Sequence, residues 1–77
     1  MEEKLLDLLV ELCEDDVVRE DLDTELFESG LIDSLVFAEL IFEIEDQIGV
    51  IISPSEINRA DIDTPNKLIE YVRTRLV

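Results

Sequence analysis

Leu5, Leu6, Leu9, Leu12 and Cys13 recur at three- and four-residue steps, with Glu3, Lys4, Asp7 and Glu11 between them. That period predicts an amphipathic helix from Glu2 to about Cys13. Cys13 falls on or beside the apolar stripe and reads as a small buried hydrophobe, not a reactive thiol. From Glu14 to Asp33 the chain turns mostly charged. Val17, Val18, Leu22, Leu26, Phe27, Leu31 and Ile32 interrupt it, too sparsely for a continuous helix and too irregularly for a strand. The pattern predicts a long loop held to the core by those side chains. A structureless loop of about 20 residues is unusual in a small domain unless it is functional.

Helical spacing returns with Phe37, Leu40, Ile41, Ile44 and Ile48, while Glu39, Glu43 and Asp46 lie across from them. The helix is predicted from Asp33 or Ser34 to about Ile48, with Asp33 as N-cap and Gly49 as stop. Ser53 and Glu56 have capping-box spacing, and Pro54 suits a first helical position. A short helix from Pro54 to about Arg59 is therefore predicted. The last helix opens with Thr64 as cap and Pro65 behind it, and Leu68, Ile69, Val72 and Leu76 form its apolar face. The result is an all-α fold, a small four-helix bundle of three main helices and one short one with a long first loop. At this length it is a single domain over residues 1–77, burying only about 60% of the surface of the unfolded chain.

Charge narrows the partners. Against 21 acidic residues stand 6 basic ones and no histidine, a formal net charge of -15. Nucleic acid and anionic membranes need Lys and Arg, so neither is an expected partner; basic protein surfaces are. Hydrophobic residues make up 47% of the chain, too many for a disordered acidic tail. A single cysteine leaves no internal disulfide and no Cys-rich zinc site. Without histidine or a second cysteine the usual nucleophile–base pairs cannot form within the chain, and an independent enzyme is not expected. No apolar run reaches membrane-span length, and the start Met1-Glu2-Glu3-Lys4 does not read as a signal peptide. The expected compartment is the cytoplasm.

The acidic loop fails as a calcium site. With Asp21, Asp23 and Glu25 at positions 1, 3 and 5 of an EF-hand loop, Leu26 and Ile32 occupy the places that need Gly and Glu. No metal ligand set is assigned, and the loop reads as a solvated charge run. The segment Glu28-Ser29-Gly30-Leu31-Ile32-Asp33-Ser34-Leu35 is more informative. Gly30 permits a turn, Leu31 and Ile32 anchor it, and Ser34 then sits at a helix N-terminus, where a phosphate ester is electrostatically favoured. Taken alone, the same octapeptide also fits Asp33 or Ser34 as an ordinary cap.

The wider frame resembles the acyl carrier protein superfamily. The long acidic loop, then Gly30-Leu31-Ile32-Asp33-Ser34-Leu35, then a helix bearing Glu39-Leu40, covers essentially the whole chain in that order. The resemblance implies a carrier-protein bundle with covalent 4'-phosphopantetheine on Ser34, flanked by the motif residues Asp33 and Leu35. The arm's thiol would hold an acyl or aminoacyl group. Asp15-Asp16-Val17-Val18, Leu26-Phe27-Glu28, Ser55-Glu56-Ile57-Asn58-Arg59 and Asp63-Thr64-Pro65-Asn66-Lys67-Leu68-Ile69 are similar to the D-alanyl carrier proteins of Gram-positive bacteria. The chain differs from their usual pattern in the later position of Pro54, in lacking Trp near Ile62, and in having Val36-Phe37 where Gly-Thr is common. That likeness implies D-alanine as cargo for teichoic acids in the cell wall. It also implies a phosphopantetheinyl transferase, a D-alanine-activating ligase and a membrane O-acyltransferase as partners of a monomeric carrier. A carrier for fatty acid or polyketide synthesis and an unmodified acidic adaptor stay open as alternatives.

On a helical wheel Leu35, Ala38 and Phe42 fall off the core stripe, beside Glu39 and Asp46. Apolar residues flanked by acids and starting one position after Ser34 predict a partner-binding strip of Leu35, Ala38, Glu39, Phe42 and Asp46, unless the loop from Glu14 to Asp33 folds over them. The charge also generates a test of stability. Self-repulsion opposes folding and screening relieves it, so added salt or millimolar divalent cation should raise the apo melting temperature. A midpoint unchanged between low and high salt contradicts this.

Overall fold

A computed structural model describes residues 1–76. In chain order it contains α1 (Glu2–Cys13), α2 (Val17–Glu20), α3 (Ser34–Gln47), a 3-10 turn (Arg59–Asp61) and α4 (Pro65–Arg75). The fold is the expected all-α bundle of three main helices and one short one. The short helix is not where the sequence pattern put it. Pro54, Ser55 and Glu56 form a turn, closed by Glu56 N–H donating to Ser53 O at 3.0 Å. The Ser53 hydroxyl pairs with that of Ser55 at 3.1 Å, so the predicted capping box does not form. Ile57 goes into the core directly after the turn, and only a single 3-10 turn follows.

The short helix is α2, inside the predicted loop. The Asp15 carboxylate accepts from Val17 N–H at 3.0 Å and starts it. Val18 is fully buried. On the other side Arg19 donates to Glu3 at 2.8 Å and to Asp7, tying α2 to α1. One turn of helix thus satisfies the backbone of a segment whose apolar residues are too few for a longer one.

The helix ends follow local rules. Glu14 closes α1 in a left-handed conformation. Gly49 closes α3: its φ of 86° turns its N–H back to Ile44 O at 3.0 Å, a conformation that favours glycine. Thr64 caps α4 by accepting from Lys67 N–H at 3.2 Å, with Pro65 at the first position. Arg73 and Arg75 sit at its C-terminal end, where the helix dipole favours cations.

Around one core, α1 packs on α2, α3 and α4, and α4 packs on the 3-10 turn. Leu5, Leu6, Leu8 and Leu9 of α1 meet Leu40 and Ile44 of α3 and Leu68, Ile69 and Val72 of α4. The connections supply the rest: Val18, Leu26, Ile32, Val50, Ile52, Ile57 and Ile62. Phe37, Ile41 and Ile48 face this core half-buried, as do Leu12 and Cys13. Burial, then the nearby Asp15 carboxylate, pushes the Cys13 thiol up from its ordinary range. Leu76 does not join the face of α4; it follows the last turn and is exposed.

Leu40 and Phe42 separate core from surface within one helix. Leu40 is 1% exposed and Phe42 63%. Leu40→Ala should cost about 2–5 kcal/mol. Phe42→Ala should change stability by less than about 0.5 kcal/mol. Urea unfolding of both variants checks the contrast.

Candidate functional site

The approach to Ser34 is built by the acidic connection. Leu26 is fully buried, its N–H donates to Asp63 O at 2.8 Å, and its carbonyl accepts from Ile32 N–H at 2.9 Å. Between those points Gly30, with φ 82°, makes the turn, its N–H donating to Phe27 O at 3.2 Å. Farther back, Asn66 N–H donates to Leu22 O at 3.0 Å and the Asn66 amide to Asp23 at 2.9 Å. The connection is therefore laced to the start of α4 along its length. Its carboxylates serve local turns: Asp21 accepts from Asp23 N–H at 3.0 Å. A hydrogen bond to Glu28, and that carboxylate's like charge, hold the Glu25 carboxyl above its ordinary range.

Asp33 is the N-cap of α3. Its backbone is extended and its carboxylate accepts from Val36 N–H at 2.9 Å. The predicted cap role thus falls to Asp33, which leaves Ser34 as the first helical residue, exposed to solvent. The four serines differ in what their hydroxyls do. Ser29 donates to Glu25 O, and Ser53 and Ser55 pair with each other. Among the described residues the Ser34 hydroxyl is bonded only as an acceptor, from the Arg59 guanidinium at 3.3 Å. That guanidinium lies over the Phe27 ring, 5.1 Å from its centroid, and Phe27 meets Phe37 edge to face at 5.6 Å. The periodicity does not mark Arg59 as part of this site. It lies 25 residues beyond Ser34, and only the tertiary fold joins the two.

The predicted strip is largely brought together. Leu35 is 70% exposed, and the connection from Glu14 to Asp33 does not cover it or Phe42. Leu35, Ala38 and Phe42 share a groove of about 410 Å³ with Leu8 and Leu12 of α1, and Glu11, Glu39 and Glu43 add carboxylates to its lining. Asp46 stands apart, in a separate hollow with Phe42 and Glu45. The contribution of α1 was missed: Leu12 read as core, and Leu8 lay outside the expected stripe.

A family model described as a phosphopantetheine attachment site matches residues 3–72. The chain belongs to this carrier family. It is 49% identical over 76 residues to a D-alanyl carrier protein of Abiotrophia defectiva, covering 99% of this chain and 96% of that one. It is 40% identical over 68 residues to D-alanyl carrier proteins of Bacillus cereus (strain B4264) and Bacillus anthracis (strain CDC 684 / NRRL 3495), covering 88% of this chain and 86% of each. The carrier's surroundings at Ser34 fit a phosphopantetheine ester: an exposed hydroxyl donating to no described protein group, with a guanidinium beside it. No helix among the described residues is long and apolar enough to cross a membrane.

The cap can be tested by itself. Asp33→Ala should lower stability by about 1 kcal/mol, and Asp33→Asn should lose much less because Asn also caps well. Urea unfolding of the apo forms measures both.

Proposed function

We propose that Ser34 carries 4'-phosphopantetheine and that the chain presents D-alanine on it for D-alanylation of teichoic acids. The observation that carries this is the Ser34 hydroxyl, exposed on the first turn of a helix already capped by Asp33 and, among the described residues, engaged only as an acceptor. The relatives named D-alanyl carrier protein supply the cargo in this reading. When bound, the group supplies a thiol that holds the aminoacyl unit as a thioester. The chain's own residues then have three tasks. Asp33 keeps the helix end in place without using the serine. The connection anchored at Leu26 and Ile32 sets where the serine stands. Leu35, Ala38, Glu39 and Phe42 form the docking strip, with Asp46 in the hollow next to Phe42, giving apolar contact within and carboxylates for basic partner side chains around it.

In this role residues 1–77 act as one carrier domain and as a substrate of other enzymes, not as an enzyme. Those enzymes are a phosphopantetheinyl transferase, a D-alanine-activating ligase and a membrane O-acyltransferase. The first two place the carrier in the cytoplasm. A strongly acidic surface suits such brief visits, because charge complementarity acts mainly on encounter rate and partner choice.

Intact mass after treatment with a phosphopantetheinyl transferase and coenzyme A tests the site. The natural chain should gain one group and Ser34→Ala none; mass addition on the alanine variant would overturn Ser34. Holo protein given ligase, ATP and D-alanine should load, and Leu35→Ala and Phe42→Ala should slow that loading while leaving the fold intact. Efficient malonyl loading without D-alanyl loading would instead mark a carrier of fatty acid or polyketide synthesis.

A further inference from the structure

Arg59 stands beside Ser34 on a surface otherwise dominated by carboxylates. The chain has six basic residues against 21 acidic ones. Arg19, Lys67 and Arg73 form ion pairs with carboxylates, Arg75 lies on Tyr71, and Lys4 is exposed on α1. Arg59 forms no ion pair among the described residues. Its plane rests over Phe27 and its terminal nitrogen reaches Ser34 Oγ at 3.3 Å. Stacking restricts the guanidinium in advance, so less freedom is lost when it takes a ligand. Phe27 is itself held, by its edge contact with Phe37 of α3 and by the buried Leu26 next to it. Two neighbouring elements therefore aim one cation at one hydroxyl.

A neutral hydroxyl is a weak reason for that arrangement. A phosphodiester formed on Oγ puts its anionic, non-bridging oxygens two bonds farther out, through phosphorus, within reach of the same nitrogen. Guanidinium donors match phosphate oxygens in geometry and in charge.

We propose that Arg59, clamped on Phe27, binds the phosphodiester of the group carried on Ser34 and holds the base of the arm against the acidic connection. Arg59 is a positioning residue here: it touches the linkage, not the thioester at the far end. The inference rests on the attachment proposed above for Ser34. It has a further physical consequence. Modification adds one negative charge to a chain at -15, and Arg59 offsets that addition where it occurs.

The test compares apo and holo forms of the natural chain and of Arg59→Gln, an exposed position whose replacement leaves the core untouched. Intact mass first establishes modification. Phosphorus NMR of the holo proteins should give a broader phosphodiester line for the natural chain than for Arg59→Gln, whose linkage moves more freely. The holo-minus-apo difference in melting temperature at low salt should be lower in Arg59→Gln by about 1–5 °C. That gap should shrink with added salt. Any loss of apo stability in the variant cancels in the difference. Equal line widths and equal holo-minus-apo differences in two fully modified proteins overturn the inference and leave the attachment standing. A natural chain that takes no group on Ser34 overturns the attachment, and this inference with it.

Discussion

Burial of Leu26 is the constraint on which the rest of this fold turns. Its side chain is fully enclosed, its N–H reaches the segment before α4, and its carbonyl takes the N–H of Ile32. That one residue joins the acidic connection to the core, to the C-terminal half and to the start of α3. Without it the run from Glu14 to Asp33 is a charged chain whose self-repulsion favours extension. With it, Gly30 must turn, Ile32 must enter the core, and Asp33 arrives where it can cap. The position of Ser34 is thus decided by a hydrophobic contact eight positions earlier in the chain, and the acidic side chains around it are free to face solvent.

Charge and packing divide the surface into two regions around the same serine. On one side α1 and α3 leave an apolar groove with carboxylates in its lining. On the other, Arg59 and two phenylalanines form a compact cation-bearing cluster. The groove is open because Leu35 and Phe42 point away from the stripe that meets α1 and α4. The cluster is closed because Phe27 and Phe37 are half-buried against the core. A partner approaching the groove meets negative potential, while the serine itself lies next to a positive group.

Much of this was legible in the chain. Helical periodicity gave α1, α3 and α4 to within a residue or two, because each has a strong apolar stripe and a recognisable cap. Asp33, Gly49 and Thr64 act as their residue types suggest. The short elements were not legible. Val17 to Glu20 lacks periodicity, and its helix depends on Asp15 and on Arg19 reaching α1, both outside any periodic signal. Ser53 to Arg59 carried the right cap letters, but the demand to bury Ile57 prevailed over local propensity. At the site, Ser34 and its motif stood out because they are contiguous. Arg59 did not, since its relation to Ser34 exists only once the chain has folded back. Leu8 escaped for the opposite reason: a nearly continuous apolar run in α1 hides which residues also border a groove.

The half-buried Cys13 has a consequence for what the domain can hold. Exchange of an acyl group between sulfurs needs an attacking thiolate. Packing at the end of α1 and the Asp15 charge push the chain's one thiol up from its ordinary range, which disfavours the thiolate, and leave it half-buried. A thioester resident on this domain therefore meets little competition from a nucleophilic sulfur of its own polypeptide. Its lifetime between visits is set by water and by partner enzymes, and the protein is chemically quiet toward its own load.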